Sequence, residues 1–377
     1  MISHAPLGHV SRIFHSASDT LSRWFPRPAI LAPAAVGIDI SDTSIKWIAL
    51  EPTGVGKRVR TSGQESLEQG VVVNGIVQDA HRLGETLRTI KEHIGIDCAH
   101  AALPEEAAYV FSMHVPANSS REQILSIIEF ELEGRVPIPP SAAVYDFDVI
   151  TKNDDDAGEE IGVQVFPKDL AESYAEAFSI AGISLLSLEV EASSVARAVS
   201  DGDVESPVTL LVDFGRIRTG FAVLKRGVPI FTSTVTVGGE SIDKAILEKL
   251  ALPRESLESF KNEEGLFAKG GKNSAGVEAL AGTVASLADE IARHYHYWDT
   301  RRNDKGERVT PVERIYLLGG SSNLKGIGDY IAARVQVECV RPNVWQNVCS
   351  FDDYIPPVDR RGSLRFATAI GLALRSF

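Results

Sequence analysis

Apolar positions along the chain recur with two periods, and the switches between them divide it into strands and helices. Ala35–Ile40 is an apolar run of strand length, Ser41-Asp42-Thr43-Ser44 is a polar turn, and Ile45–Leu50 is a second run, which predicts a strand–turn–strand unit. Val71–Val77 reads as a further strand region, and Asp79 is placed to cap a helix running to about His93. Residues 99–116 read as extended. From Arg121, Ile124, Ile127, Ile128, Leu132 and Val136 share one helical face until Pro137, Pro139 and Pro140 stop the helix. Strands at Val144–Ile150 and Ile161–Phe166 are joined by an acidic run, Asn153–Glu160, which lacks calcium-loop spacing and reads as a solvated hairpin tip. A helix at 169–181, a strand at 183–189 and a helix at 191–200 complete the first half.

After Gly/Asp/Ser/Pro punctuation at 201–207, the second half repeats the opening theme. Val208–Asp213 is apolar, Phe214–Gly220 is a turn, and Phe221–Leu224 resumes the strand pattern. Each half thus opens with a buried strand ending in Asp, followed by a tight turn, which predicts two related units facing each other. Farther on, Val284, Leu287, Ile291, Tyr295 and Trp298 form the buried stripe of a helix at 282–298, with His294 and His296 as its flanks. Residues 1–33 stand apart. Apolar residues from Val10 to Phe25 recur at helical spacing with Arg12 and Arg23 on the polar side, and Pro26, Pro28 and Pro33 follow as a stiff linker. This segment fits either an amphipathic contact with a membrane or partner, or a plain terminal arm.

Composition narrows the function classes. The 377 residues suffice for two or three domains, and 44% apolar with 24% charged residues is ordinary globular usage. A net charge of −13 argues against a nucleic-acid binder, which needs a basic patch. The three cysteines are far apart and contain no CxxC, so neither a disulfide framework nor a zinc site is indicated. No apolar run approaches the ~20 residues of a membrane span, and the N-terminus lacks a signal-peptide core, so the expected compartment is the cytoplasm.

The chemistry concentrates at the strand ends. A strand ending in Asp and followed by a small-residue turn can fold its backbone N–H groups around a phosphate. Two such turns opposed across a cleft, Ser41–Ser44 and the one holding Gly215, could clamp the β- and γ-phosphates. Asp39 and Asp213 would then hold a hydrated Mg²⁺, with Lys46 as a point charge on phosphate oxygens. A third element, Ile315–Ile327, is an apolar strand, a Gly319-Gly320 turn and a helix start, and the two glycines would let backbone approach a flat nucleoside. Neither a Gly-x-Gly-x-x-Gly fingerprint nor a P-loop occurs in the required context.

In this order the three elements resemble the phosphate-1, phosphate-2 and adenosine motifs of the actin-like ATPase superfamily. Val237-Gly238-Gly239-Glu240-Ser241-Ile242-Asp243 resembles the Gly-Gly segment heading a helix in FtsA-like proteins. Leu257-Glu258-Ser259-Phe260-Lys261 resembles the helix whose Glu and Lys flank the nucleoside, and Glu189–Ser194 the helix that places an acid or amide near the attacking water. Within the superfamily the chain is most similar to the type IV pilus assembly family PilM. That likeness rests on Gly37-Ile38-Asp39-Ile40 with Lys46, Asn74–Val77, Glu129–Glu133 through Pro139, Leu317–Ser321 and Phe366–Arg375, over roughly residues 34–377.

The resemblance implies an α/β fold of actin-like ATPase type, with two lobes around a nucleotide cleft and a small α+β insertion. Its expected parts are an N-terminal arm (1–33), subdomain IA (34–107, 183–206 and 360–377), insertion IC (108–182), IIA (207–240 and 312–359) and IIB (241–311). It also implies ATP and Mg²⁺ as ligands, adenine over guanine, with Arg216, Gly239, Glu240, Glu258, Lys261 and Ser321 among the cofactor contacts and Glu191 as the water-orienting acid. PilM-like first turns carry Gly where Ser41 stands here, so slow or absent hydrolysis is expected. The implied partner is the tail of a PilN-like inner-membrane protein, bound beside the insertion at the inner face of the inner membrane, with other pilus subunits as further candidates. The alternative is an FtsA-like ATPase that polymerises on membranes. FtsA-like chains continue into a C-terminal amphipathic helix, whereas this sequence stops at Phe377, which favours the scaffold reading.

Overall fold

The computed structural model describes residues 35–54, 56–151, 158–200, 206–250, 253–267, 274–302, 306 and 308–377. The segment at 10–25, its proline linker, and most of the 153–160 and 201–207 runs lie outside these residues.

The internal echo is built into the sheets. Strands β1 (Ala35–Ile40), β2 (Ser44–Thr53) and β3 (Gly56–Ser66) form successive antiparallel pairs. Between β3 and the helix Ala80–Ile94, two-residue strands β4 (Val72–Val73) and β5 (Ile76–Val77) make a small hairpin. Positive φ at Asn74 and Gly75 turns the chain there, so the expected single strand at 71–77 is a hairpin instead. Strand β6 (Cys98–Leu103) then pairs parallel to β1. A 3₁₀ turn at Glu105–Ala107 breaks the extended stretch before β7 (Tyr109–Val115), which belongs to another sheet. There β7 joins β8 (Ala143–Thr151) and β9 (Glu159–Pro167) in the order β7-β9-β8. Strand β10 (Ser184–Val190) completes the first sheet, β10-β6-β1-β2-β3.

The second sheet repeats this plan with β11 (Thr209–Phe214), β12 (Thr219–Lys225), β13 (Val228–Val235), β14 (Arg314–Leu318) and β15 (Glu338–Val340). Its order is β13-β12-β11-β14-β15, so β11 takes the place of β1: antiparallel to the next strand in sequence and parallel to a later one. Residue alternation explains why β11 is almost wholly apolar. Leu210, Val212 and Phe214 enter the second lobe's core, whereas Leu211, with Ala222, Leu224 and Leu318, packs against the first lobe's core. The C-terminal helix Ala367–Leu374 is buried along its whole length, and it lies so close to β1 that a Cβ on Gly37 would sit 2.1 Å from the Ala369 carbonyl oxygen.

The helix Arg121–Arg135 has a capping box between Ser120 and Gln123 and buries Ile124, Ile128 and Leu132 against β7 and β9. Packing moves two expected boundaries. Leu170, Tyr174 and Phe178 of the helix Lys168–Ala181 belong to the first lobe's core, so the separately packed insertion ends near Pro167, short of the expected 182. Val344, Trp345 and Val348 were expected in the second lobe, but they join the first lobe's core. There the Asn347 amide donates to the Arg197 and Ser200 carbonyls at 2.9 Å each and closes the end of the helix Glu191–Val199. On the long helix Ser274–Thr300, His294 stacks on Phe221 with ring centroids 4.0 Å apart and sits 3.1 Å from the Ser233 hydroxyl, while His296 is exposed.

Candidate nucleotide cleft

The two Asp-ended strands bring their turns to opposite walls of one cleft of about 720 Å³. Asp39, Ser41, Asp42, Thr43, Ser44 and Lys46 line it from the first lobe, and Glu191 lines it from the start of its helix. Asp213, Gly215, Arg216, Glu258, Lys261, Gly319, Gly320 and Ser321 line it from the second. Gly239 and Glu240 do not. Their backbone N–H groups donate to the Gly215 and Arg216 carbonyls at 3.0 and 2.8 Å, and the Glu240 side chain is exposed. These residues brace the second turn from behind, since a Cβ on Gly239 would meet the Ser321 hydroxyl at 1.9 Å.

Each turn keeps free backbone donors. In the first, the Ser41 N–H donates to the Ser44 carbonyl at 2.9 Å and the Ser44 N–H to the Ser41 hydroxyl at 3.2 Å. The N–H groups of Asp42 and Thr43 are left without a partner among the described residues. In the second, Gly215 N–H donates to the Asp213 carbonyl at 3.1 Å, and the N–H groups of Arg216 and Ile217 are likewise free among the described residues. Gly319, at φ +78°, passes behind this turn where any Cβ would lie 2.3 Å from the Phe214 carbonyl oxygen and 2.5 Å from the Asp213 carboxylate. Only glycine meets both demands.

The cleft floor is a set of opposed charges. The Lys46 ammonium lies 3.0 Å from the Asp39 carboxylate, and the two residues are register partners across β1 and β2. Burial works against the Lys46 charge, but Asp39, with Asp213 and Glu191 behind it, outweighs burial and holds the pKa above its ordinary value. Asp213 has no such counter-ion among the described residues, and burial plus the Asp39 charge raise it to about 6. Burial also raises Glu191 well above the carboxylate range, with Asp39, Glu105, Glu106 and Asp213 adding to the effect. Glu258 is exposed at the rim, and Lys261 pairs with Asp243 at 2.7 Å.

Glu105, Glu106 and Arg218 line the cleft and were not among the expected contacts. Glu105 is buried beside Asp213 and accepts from the Ala192 N–H; burial, then Asp213 and Glu106, raise its pKa well above the carboxylate range. As with Asp39, an apolar strand end marks its position, which was a readable signal. Glu106 and Arg218 meet across the cleft as an ion pair. Arg218 stands inside the second turn, but the sequence does not reveal its partners.

The solved PilM-PilN type IV pilus biogenesis complex superposes with a TM-score of 0.73 at 20% identity, covering 92% of this chain and 99% of that one. The ethanolamine utilization protein EutJ from Carboxydothermus hydrogenoformans superposes with a TM-score of 0.52 at 16% identity, covering 91% and 89%. The fold is the expected actin-like ATPase fold. The family model for type IV pilus assembly protein PilM matches residues 37–377, nearly the whole described chain, and the protein belongs to that family.

Proposed function

We propose that the protein is an ATP–Mg²⁺-binding scaffold of the type IV pilus inner-membrane assembly complex, acting at the inner face of that membrane. The observation that carries this reading is the opposition of the two Asp-ended turns, each with free N–H donors, across one cleft. The donor set suits a hydrated divalent cation: Asp39 and Asp213 offer hard oxygens whose mutual repulsion a cation would relieve. Among the described residues no three acidic, His or Cys side chains converge as a direct chelate, so the ion would be held through its waters. Bound Mg²⁺ would supply charge neutralisation of the β- and γ-phosphates. The chain's own parts do the rest: the two nests grip phosphate oxygens, Lys46 adds positive charge, and Gly319-Gly320 admit the nucleoside.

Hydrolysis is slow or absent in this reading. Glu191 would have to accept a proton from the attacking water, yet its carboxyl already tends to hold one. Nucleotide binding then serves recruitment. The partner is the N-terminal tail of a PilN-like protein, in keeping with the family and with the PilM-PilN complex as a structural neighbour. A groove of about 570 Å³ between β8, the C-terminal helix and the second lobe, with Val149, Leu374 and Phe377 among its lining, supports a place for an extended tail beside the insertion.

Calorimetry tests the nucleotide part. Wild-type protein should bind ATP only with Mg²⁺, and Asp213→Ala should abolish binding; unchanged affinity in both Asp39→Ala and Asp213→Ala would remove the reading. A labelled PilN-tail peptide should bind the wild type and fail to bind Val149→Arg, while turnover stays far below the ~10 s⁻¹ enzyme median.

A further inference from the structure

Among the described residues, Arg218 is the one cation whose ion pairs bridge the two walls of the cleft. It rises from the turn between β11 and β12, yet both of its ion-pair partners belong to the first lobe. Its guanidinium lies 2.5 Å from the Asp42 carboxylate, in the turn after β1, and also pairs with Glu106, in the 3₁₀ turn after β6. The side chain is 14% exposed, so the fork is held in place and is not waving in solvent.

The two partners depend on it unequally. Asp42 also accepts the N–H groups of Asn74 and Gly75 at 3.0 Å each, and it keeps those bonds without Arg218. Glu106 has no other ion-pair partner among the described residues. Among the described residues, the remaining cations of the cleft are committed or exposed: Lys46 to Asp39, Lys261 to Asp243, and Arg216 and Arg365 exposed.

Resting on the nucleotide reading above, we infer that Arg218 is the residue that reads the terminal phosphate, exchanging Asp42 and Glu106 for the γ-phosphoryl oxygens. The guanidinium already stands between the two turns that would clamp the β- and γ-phosphates. A γ-phosphate brings more negative charge than either carboxylate and the same two-oxygen edge for a fork to grip. Among the described cations that line the cleft, Arg218 alone is fixed to both walls, so discrimination between a tri- and a diphosphate falls to this side chain. The exchange also makes the inter-lobe bond conditional: with a triphosphate the lobes are joined through the ligand, and with a diphosphate through Asp42 and Glu106 directly. A terminal phosphate is thus translated into a change at the first lobe's surface turn, Glu105–Ala107, which leads straight into β7 of the insertion.

The test is calorimetric titration of Mg-ATP and Mg-ADP into wild type, Arg218→Ala and Arg218→Lys, with thermal unfolding of each. Arg218→Ala should weaken ATP by about tenfold to a hundredfold, the worth of a charge-assisted fork, and change ADP by no more than about threefold. Arg218→Lys should lie between, because it restores charge without the fork. An unchanged ATP-to-ADP ratio in Arg218→Ala, or equal weakening or tightening of both nucleotides, would show a strut between lobes and overturn the inference alone. If Arg218→Ala unfolds, the same ratio measured in Arg218→Lys decides. Failure of the wild type to bind either nucleotide would overturn the binding reading itself, and this inference with it.

Discussion

The two Asp-ended turns have the same topology and opposite electrostatics. Across the ladder from Asp39 stands Lys46, and the pair lies at 3.0 Å. Across the ladder from Asp213 stands Gly220, which brings no charge. The space its missing side chain leaves is taken by the carboxylate of Glu105, which would lie 2.7 Å from a Cβ there. One turn is therefore neutralised by its own sheet, and the other has no cation across its ladder and a buried acid from the opposite lobe in that place. The wiring differs as well. Serine hydroxyls close the first turn from within, whereas Gly238 and Gly319, from separate segments, let other backbone close in behind the second. A repeated strand–turn–strand plan fixes where a ligand can sit, and the residues opposite each Asp decide which wall carries positive charge and which one needs a cation.

The sharpest way to break this comparison is to remove the close approach on the second side. Gly319→Ala puts a side chain at φ +78° and against the Phe214 carbonyl at once. The expected cost is about 3 kcal/mol or more, read as a lowered midpoint in urea unfolding, together with loss of ATP binding. A variant of wild-type stability and affinity would mean that the second turn tolerates the slack that the first turn has.

Next in size is the pH dependence of the unpaired Asp. In its folded environment Asp213 titrates near 6, above the ~4 of an unfolded chain. Between those values the folded state holds more protons, so in chelator-containing buffer its contribution favours folding below pH ~4 and is lost as pH rises through 6. From pH 4.5 to 7.5 this contribution falls by on the order of 2 kcal/mol. Asp213→Asn, which cannot ionise, should lose that part of the slope, seen by chemical denaturation at several pH values. If the slope survives in full, the charge on the second wall is not borne by Asp213.

Much of the fold is legible in the sequence itself. The echo between Gly37–Ser44 and Leu211–Arg218 predicted two facing units, and both sheets do repeat one strand order. Strand β3 escaped because its residues, Gly56–Ser66, are mostly polar: an edge strand, exposed along much of its length, needs no apolar run. The insertion's end was misplaced because the helix Lys168–Ala181 has an apolar face that would serve either core, and only packing assigns it. The site divides the same way. Asp39, Asp213 and Gly319 stand at strand ends that the apolar pattern marks, and the structure brings all three to one cleft. Glu105, Glu106 and Arg218 act through residues more than 30 positions away, so their contacts exist only once the lobes meet.

The smallest expected effect concerns Ser41, where the family resemblance implies a glycine. If that glycine were needed for its backbone, Ser41 would have to adopt a positive φ here, and it does not. Its hydroxyl instead lies 2.9 Å from the Ser44 carbonyl and accepts from the Ser44 N–H at 3.2 Å, so the side chain holds the turn that a glycine would leave loose. Ser41→Gly should therefore cost about 1 kcal/mol, part from the lost hydrogen bonds and part from the freer unfolded chain. The free donors of the turn belong to Asp42 and Thr43, not to residue 41, so ATP affinity should change by no more than about threefold. Calorimetry on Ser41→Gly separates the two accounts. Markedly tighter ATP binding would show that the serine obstructs phosphate approach. Looser binding with lower stability would show that the hydroxyl staple is what shapes the first nest.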